Sequence, residues 1–508
     1  ILVLSVFNYI NLATANAIKR AKEVGVRKVL GASKKNIVVQ FIAEATLNVF
    51  VAILLALVIV ELSLPYYNSF LDKHLILNSE TFFMQLLLIM VVTIITAGVF
   101  PALYVSNFET LKVLKGNFGR SKAGIWLRNG MLVLQFAIAS FFIVGSYIVY
   151  EQIDFMNKKD LGFKGEQVVD VVYRNIYGDG ISNQMRYDKY LRIKNELLKI
   201  KGVKEVSGGT LGFGYGISST ISYNYKDEVI NGQNVALDFG MLELMNIQLK
   251  EGRFLNAKYA SDTIDNMLVN ETAMKLMKEK SVIGKEVDWN GKKMKIVGVV
   301  KDFNVEGPHN PIEAVSIFHF KNVDWLLNNL HNIYIKIDPE NMDETVAEIE
   351  QFWVNQVDPD YPFTYDFVNK EYARSYGQFV KQRNLFSLLN FVVIVIALMG
   401  LFALASYSIQ TRMKEIAIRK TLGAETKTLL KELSKQYILF CVIGFVIALF
   451  PVYFLLDKWL ENFAYRIDIS VIPFVIGFVI LLLLTLVVVL SRAFQATRVE
   501  VLKYLKYE

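Results

Sequence analysis

The chain has 508 residues, of which 53% are hydrophobic and only 20% charged, and its mean hydropathy is positive. That is too apolar for an ordinary soluble protein of this length. The net charge of +7 comes without the interleaved basic and aromatic residues of RNA or single-strand binders, so nucleic acid is not the expected partner.

The apolar residues fall in blocks, and crossing a hydrocarbon core of about 30 Å takes roughly 20 helical residues. The opening run, Ile1 to about Ile18, reads as the tail of a span. It starts on Ile rather than Met, and no basic flank precedes it, which argues against a signal peptide. Residues 41–63, 82–106, 129–150, 384–408, 437–457 and 472–491 each supply a further span with almost no charge. Within the spans, Asn8, Asn11, Gln135 and Asn390 read as interhelical hydrogen-bonding groups. Pro451 predicts a kinked helix. The one cysteine, Cys441, lies inside a span and forms no intramolecular disulfide.

Lys and Arg in short loops stay on the cytoplasmic side. Lys19 to Lys35 carry one basic loop, Lys112, Lys115, Arg120, Lys122 and Arg128 a second, and Arg412 to Lys435 a third. The tail adds Arg492, Arg498, Lys503 and Lys506. All four fall on one side if the spans alternate, which places the bilayer around the spans and residues 151–383 outside.

From Glu151 to about Arg383 the composition becomes that of a soluble domain. Strand-like runs at 167–172, 293–300 and 332–337 alternate with helix-like ones at 187–199, 270–278 and 343–354. The expected fold class is therefore an α-helical polytopic membrane protein of about seven spans, the first partial, with an inserted α+β extracytoplasmic domain. The glycines at 208–216 suit a turn better than a phosphate loop, because the Gly-Lys-Ser/Thr ending is missing. Phe213 and Tyr215 there are candidate contact residues for a partner or an apolar substrate.

A catalytic centre is not expected. His74, His309, His319 and His331 lack metal-ligand spacing, no His-Glu-x-x-His occurs, and no Walker A sequence is present. Neither a cofactor nor a metal is called for. His319 and His331 read as surface or strand residues.

Two separated stretches repeat one order of residues: Arg20-Ala-Lys-Glu-Val-Gly-Val-Arg-Lys-Val-Leu-Gly-Ala32 and Arg412-Met-Lys-Glu-Ile-Ala-Ile-Arg-Lys-Thr-Leu-Gly-Ala424. In each the helix is expected to stop at Gly31 or Gly423, and Ser33 or Thr426 to cap the next one. Arg20, Glu23 and Arg27 share one helical face, and Val26, Val29 and Leu30 another. Arg412, Glu415 and Arg419 repeat the polar stripe, Ile418 and Leu422 the apolar one. Intrahelical pairs alone, worth about 0.3–0.5 kcal/mol each, would not require the same order twice, so docking on a cytoplasmic partner is the favoured reading.

This elbow pattern resembles the signature of FtsX-like permeases of ABC transporters, of the MacB and LolC/LolE type. The segments Lys159-Asp-Leu-Gly-Phe163, Glu251-Gly-Arg-Phe254, Asn270-Glu-Thr272, Ile283-Gly-Lys285 and Val297-Gly-Val-Val-Lys-Asp-Phe303 are similar to the MacB-type periplasmic domain. Glu500-Val-Leu-Lys503 and Glu109-Thr-Leu-Lys112 resemble the close of each FtsX module, without the usual proline. The whole is most similar to the long duplicated permeases of Bacteroidetes, and the likeness implies an N-terminally truncated copy. On this resemblance residues 1–126 are a first, N-terminally incomplete FtsX-like module, 127–150 a transmembrane helix, 151–383 the MacB-like periplasmic domain and 384–508 the second module.

The resemblance further implies a multi-pass permease of the bacterial inner membrane that is itself no enzyme. A separate cytoplasmic ABC ATPase dimer hydrolyses ATP, and mechanotransmission through the spans moves the periplasmic domain. Efflux of peptide or antibiotic-like substrates, or lipoprotein translocation, is the implied outcome, with a periplasmic adaptor and an outer-membrane channel as further partners. The rival is FtsX-type signalling to a periplasmic cell-wall hydrolase. Arg20, Glu23, Arg27, Lys28, Gly31, Arg412, Glu415, Arg419, Lys420 and Gly423 are the expected ATPase-coupling residues.

Overall fold

The computed structural model describes residues 1–19, 21–71, 73–77, 79–106, 122–174, 182–217, 219–322, 327 and 330–497. Arg20, Lys112, Lys115, Arg120, Arg498, Lys503, Lys506 and the module-closing segments 109–112 and 500–503 fall outside the described residues. The chain divides into two compact units: Ile1–Gln152, Lys381–Leu460 and Asp468–Glu508 form one, Ile153–Val380 and Glu461–Ile467 the other.

The first unit is helical. Helix α1 (Leu2–Lys19) leads into the short α2 (Ala21–Val29), and α3 (Lys34–Leu71) follows. Helix α4 (Glu80–Ile94) starts where the Ser79 hydroxyl accepts the Phe82 N–H at 3.2 Å. It continues through a π-turn, Ile95–Val99, into α5 (Phe100–Ser106). Helix α6 spans Lys122–Lys158.

The second unit carries one sheet of 11 strands. In chain order it contains β1 (Val168–Val172), α7 (Asn183–Leu197), β2 (Val203–Gly209), β3 (Thr220–Tyr225) and β4 (Glu228–Leu237). Then come α8 (Met241–Leu244), β5 (Leu249–Gly252), β6 (Asn266–Asn270), α9 (Glu271–Leu276), β7 (Glu286–Trp289), β8 (Lys292–Val300) and β9 (Ala314–His319). It closes with β10 (Asn332–Ile337), α10 (Met342–Phe352), β11 (Tyr365–Phe367) and α11 (Val368–Ser375). The strand order is β11-β1-β10-β2-β4-β3-β7-β8-β6-β9, with β5 paired to β8 off this path, and a parallel pairing of β4 with β9 closes part of it into a ring.

Strand alternation divides the core of this unit. On β10, Ile333, Ile335 and Ile337 join a cluster with Tyr190, Trp289 and Trp353, while Tyr334 faces a second cluster with Phe213 and Phe303. The motif residues brace the fold. Arg253 grips the fully buried Asp262 through both terminal nitrogens, at 2.5 and 2.8 Å. Asn270 caps α9, and Asp302 accepts from the Thr272 N–H and hydroxyl, both at 2.9 Å. At the end of β9, His319 is buried against Phe239 and 3.5 Å from Asp238, so it is a core residue and not a surface one.

The glycine-rich segment after β2 is a packed turn. Its Phe213 is fully buried against Phe163, which corrects the expectation that it is a contact residue. Tyr215 stays exposed, its hydroxyl on Glu371 at 2.5 Å.

The chain returns to the helical unit with α12 (Gly377–Thr411), α13 (Met413–Thr421), α14 (Thr426–Leu460) and α15 (Ile472–Thr497). Among the described residues six helices are long and apolar enough to cross a membrane: Lys34–Leu71, Glu80–Leu103, Arg128–Lys158, Gly377–Thr411, Thr426–Leu460 and Ile472–Thr497. Each contains most of an expected span, and the opening run forms a shorter apolar helix, Leu2–Ala13. Asn8 donates to the Ile396 carbonyl at 2.8 Å and Gln135 to the Ala397 carbonyl at 2.8 Å, so two of the intramembrane amides tie α1 and α6 to α12.

Candidate functional site

The two elbows, α2 and α13, have the same length and the same ending. Beyond α2, the Gly31 N–H donates to the Lys28 carbonyl at 3.1 Å and the Ala32 N–H to Arg27 at 2.9 Å. Beyond α13, Gly423 donates to Lys420 at 3.1 Å and Ala424 to Arg419 at 3.0 Å. Such paired bonds satisfy the last carbonyls of a helix and need a left-handed residue between them. Gly31 and Gly423 supply it, at φ of 93° and 88°. Ser33 caps α3 through the Asn36 N–H at 3.2 Å, as expected. The second copy differs: Thr426 is the first residue of α14, and the Glu425 carbonyl accepts the opening bonds from Thr428 and Leu429.

The structure brings Glu23 and Arg27 together at 2.8 Å, and Glu415 and Arg419 at 2.7 Å. Both pairs are half-exposed, and Arg27 also bonds Gln40 on α3. Arg412 holds the N-cap of α13, donating its N–H to Ile409 and accepting the Ile416 N–H. Arg20 lies outside the described residues.

Lys28 and Lys420 do not join these pairs. Lys28 donates to the Ser106 carbonyl of α5 at 2.8 Å; Lys420 donates to the Thr497 carbonyl of α15 at 2.6 Å. Each ammonium thus joins its elbow to the backbone of another helix, a charge-assisted bond to a carbonyl oxygen. Burial, and secondarily the charge of Lys34, lowers the Lys28 ammonium below the usual lysine range. Neither acceptor is visible to sequence reasoning, since a backbone carbonyl carries no residue signature.

The apolar stripes shared by the two elbows face outward. Val24 and Gly25 in α2 and Met413, Ile416 and Ala417 in α13 are buried, the latter helix packing on Leu429, Leu433, Ala493 and Ala496. Val26, Val29 and Ile418 face outward, and Leu30 and Leu422 are each 81% exposed. Each elbow thus offers an outward leucine beside an ion pair, on a helix whose inner face is anchored.

Residues 1–110 and 387–501 match the FtsX-like permease C-terminal family, and residues 131–352 match the MacB-like periplasmic core domain. The chain is an FtsX-like permease of the MacB type. The family's duplicated match carries both elbows, and its periplasmic match covers most of the sheet-bearing unit of this permease. A curated relative, the macrolide export ATP-binding/permease protein MacB of Aggregatibacter actinomycetemcomitans, is 22% identical over 302 residues, 55% of the permease chain and 43% of that protein. The chain therefore spans less than half the length of this relative. The periplasmic region of MacB from Actinobacillus actinomycetemcomitans is 16% identical, covers 41% of the chain and 92% of its own, and superposes with a TM-score of 0.32. The extracellular domain of YknZ, an ABC-type transporter of Gram-positive bacteria, is 12% identical, covers 39% of the chain and 98% of its own, with a TM-score of 0.29.

Among the described residues no cluster of three or more His, Cys, Asp or Glu side chains could hold a metal ion.

Proposed function

We propose that this permease is the membrane subunit of an ABC transporter driven by a separate cytoplasmic ATPase dimer, and that α2 and α13 are the handles the two ATPase halves grip. One observation carries the reading: Leu30 and Leu422, equally exposed at 81%, stand at the same place in two elbows built with the same terminal hydrogen bonds. An exposed leucine on an anchored helix suits a pocket on a partner, and the Glu23–Arg27 and Glu415–Arg419 pairs form its polar rim. Two like handles serve a partner with two like halves. The chain has no Walker A sequence of its own.

In this reading the chain is multi-pass in the bacterial inner membrane, with residues 1–126 and 384–508 as the two modules, 127–150 as a span and 151–383 as the periplasmic domain. ATP-driven movement of the handles passes through Lys28 to α5 and through Lys420 to α15, and the spans convey it to the periplasmic domain. The work done is efflux of peptide or antibiotic-like substrates or lipoprotein translocation, with a periplasmic adaptor and outer-membrane channel completing the path. The test is the double charge reversal Arg27→Glu with Arg419→Glu. ATPase stimulation by the permease should fall to the level of the isolated ATPase while the permease stays folded; unchanged stimulation rejects the handles.

A further inference from the structure

Beside α12, on the side of the helical unit that carries the elbows, lies a groove of about 690 Å³. Its walls are apolar, from Leu12 of α1, Met399 and Phe402 of α12 and Val488 of α15. Toward the elbow end the lining turns polar, with Ser406, Gln410 and Arg492. The residues of α12 that line it run from Leu398 to Gln410. At a rise of 1.5 Å per residue that is about 18 Å, close to half of a hydrocarbon core about 30 Å thick. The groove therefore has the reach of one leaflet, from the interface to the middle of the bilayer.

Arg492 lies on α15 at the elbow end of the groove, four residues, about 6 Å along the helix axis, beyond Val488. Its Nε donates to the Ser406 hydroxyl at 2.7 Å, one terminal nitrogen donates to Gln495 at 2.5 Å, and the guanidinium lies 4.4 Å over the Phe402 ring. Among the described residues no carboxylate is paired with it. At the elbow-side limit of the last span a cation sits at headgroup depth, and here Ser406, Gln495 and Phe402 orient the charge without cancelling it.

We propose that this groove binds an anionic phospholipid of the leaflet facing the elbows, its phosphate on Arg492 and an acyl chain along Leu12, Met399, Phe402 and Val488. The bilayer supplies the occupant. Charge complementarity selects it among lipids, because a basic residue between spans near an anionic surface favours acidic headgroups. A lipid so held touches α1, α12 and α15 together, and α12 and α15 are the helices that the second elbow joins or binds.

The test uses the full chain carrying Phe402→Trp, an aromatic that preserves the stacking with Arg492. The protein is reconstituted in phosphatidylcholine vesicles that contain a minority of dibrominated lipid, either phosphatidylglycerol or phosphatidylcholine, and tryptophan fluorescence is read. Brominated phosphatidylglycerol should quench the added tryptophan about fivefold more effectively at equal dose, the factor equivalent to the ~1 kcal/mol of one basic residue near an acidic surface. Adding Arg492→Gln should bring the two lipids level, and the difference between the variants removes the signal of the native tryptophans. Equal quenching by the two lipids with Arg492 intact overturns the proposal. So does a preference that survives Arg492→Gln, and so does the absence of quenching by either lipid, which would mean that a protein segment fills the groove.

Discussion

Lys420 donates to the backbone carbonyl of Thr497 at 2.6 Å, joining the second elbow to α15. Lys28 makes the same connection from the first elbow to Ser106 at 2.8 Å. The repeated lysine is thus an internal tie, in contrast to the neighbouring arginines and their exposed ion pairs. An amphipathic elbow held only by its inner apolar face could slide, whereas one tied to the backbone of a second helix passes its displacement on.

Replacing both lysines by methionine keeps their apolar stems and removes the ties. Since these bonds are partly solvated, each should contribute about 1 kcal/mol, so amide exchange across residues 413–421 should quicken about fivefold while the spans stay protected. Hydrogen-exchange mass spectrometry reads this directly. Under the proposed function, ATPase stimulation should fall in the same variant; an elbow that exchanges as slowly as in the parent excludes the tie.

Alanine at Gly31 or Gly423 should destabilise each elbow ending by about 1–2 kcal/mol, the cost of a left-handed backbone for a residue with a Cβ. Nothing lies within 4 Å of the Cβ that either substitution would add, so the cost comes from φ and not from crowding. Asparagine, which tolerates that conformation better, should cost less than alanine. Thermal unfolding of the detergent-solubilised chain distinguishes the two substitutions.

Gly400 is a different case, because its problem is space. A Cβ there would come 2.1 Å from Oδ1 of Asn8 and 2.5 Å from Nε2 of Gln135. Asn8 and Gly400 stand at the same place in the two repeats, each twelve residues before its elbow arginine. Gly400→Ala should therefore lower stability by about 1–3 kcal/mol through overpacking, and adding Asn8→Gly should recover part of it. A midpoint shift no smaller in the double variant would refute this crossing.

The periplasmic-type unit should also respond to pH through Asp170. Burial, reinforced by Glu371 and opposed by the Asn332 amide, pushes its carboxyl up to about 8. A carboxyl raised in the folded state favours folding below its ordinary pKa of 3.8 and loses that contribution as pH rises toward 8. His309 and His331, lowered by burial, act in the opposite sense near their ordinary value. The informative quantity is the difference between parent and Asp170→Asn. From pH 5 to pH 7.5 the parent should lose up to a few kcal/mol relative to the variant, at about 1.4 kcal/mol per unit. Parallel pH profiles would count against a protonated Asp170.

Span positions, the presence of a mixed α and β unit between them, and the glycine endings of the elbows were legible because each depends on local chemistry. A run of apolar residues crosses a bilayer wherever it occurs, and Gly423 relaxes a left-handed turn without help from distant residues. The exposed side of the elbow was not legible, since Leu422 and Ile416 are equally apolar and only the packing of Ile416 on Leu429 and Ala493 decides which is buried. The same holds for Phe213, whose flanking glycines suggest an exposed loop although its ring fills the core beside Phe163.

By itself the sequence determined that this is a duplicated membrane protein with a charged elbow repeated in each half, because hydropathy, charge and residue order are properties of the chain alone. Packing alone settled that Lys28 and Lys420 reach backbone carbonyls of other helices, that Asn8 fits over Gly400, and that Arg492 faces a groove without a counterion among the described residues. Those relationships join residues far apart in the chain, often through backbone carbonyls common to every residue, and they exist only once the helices have packed.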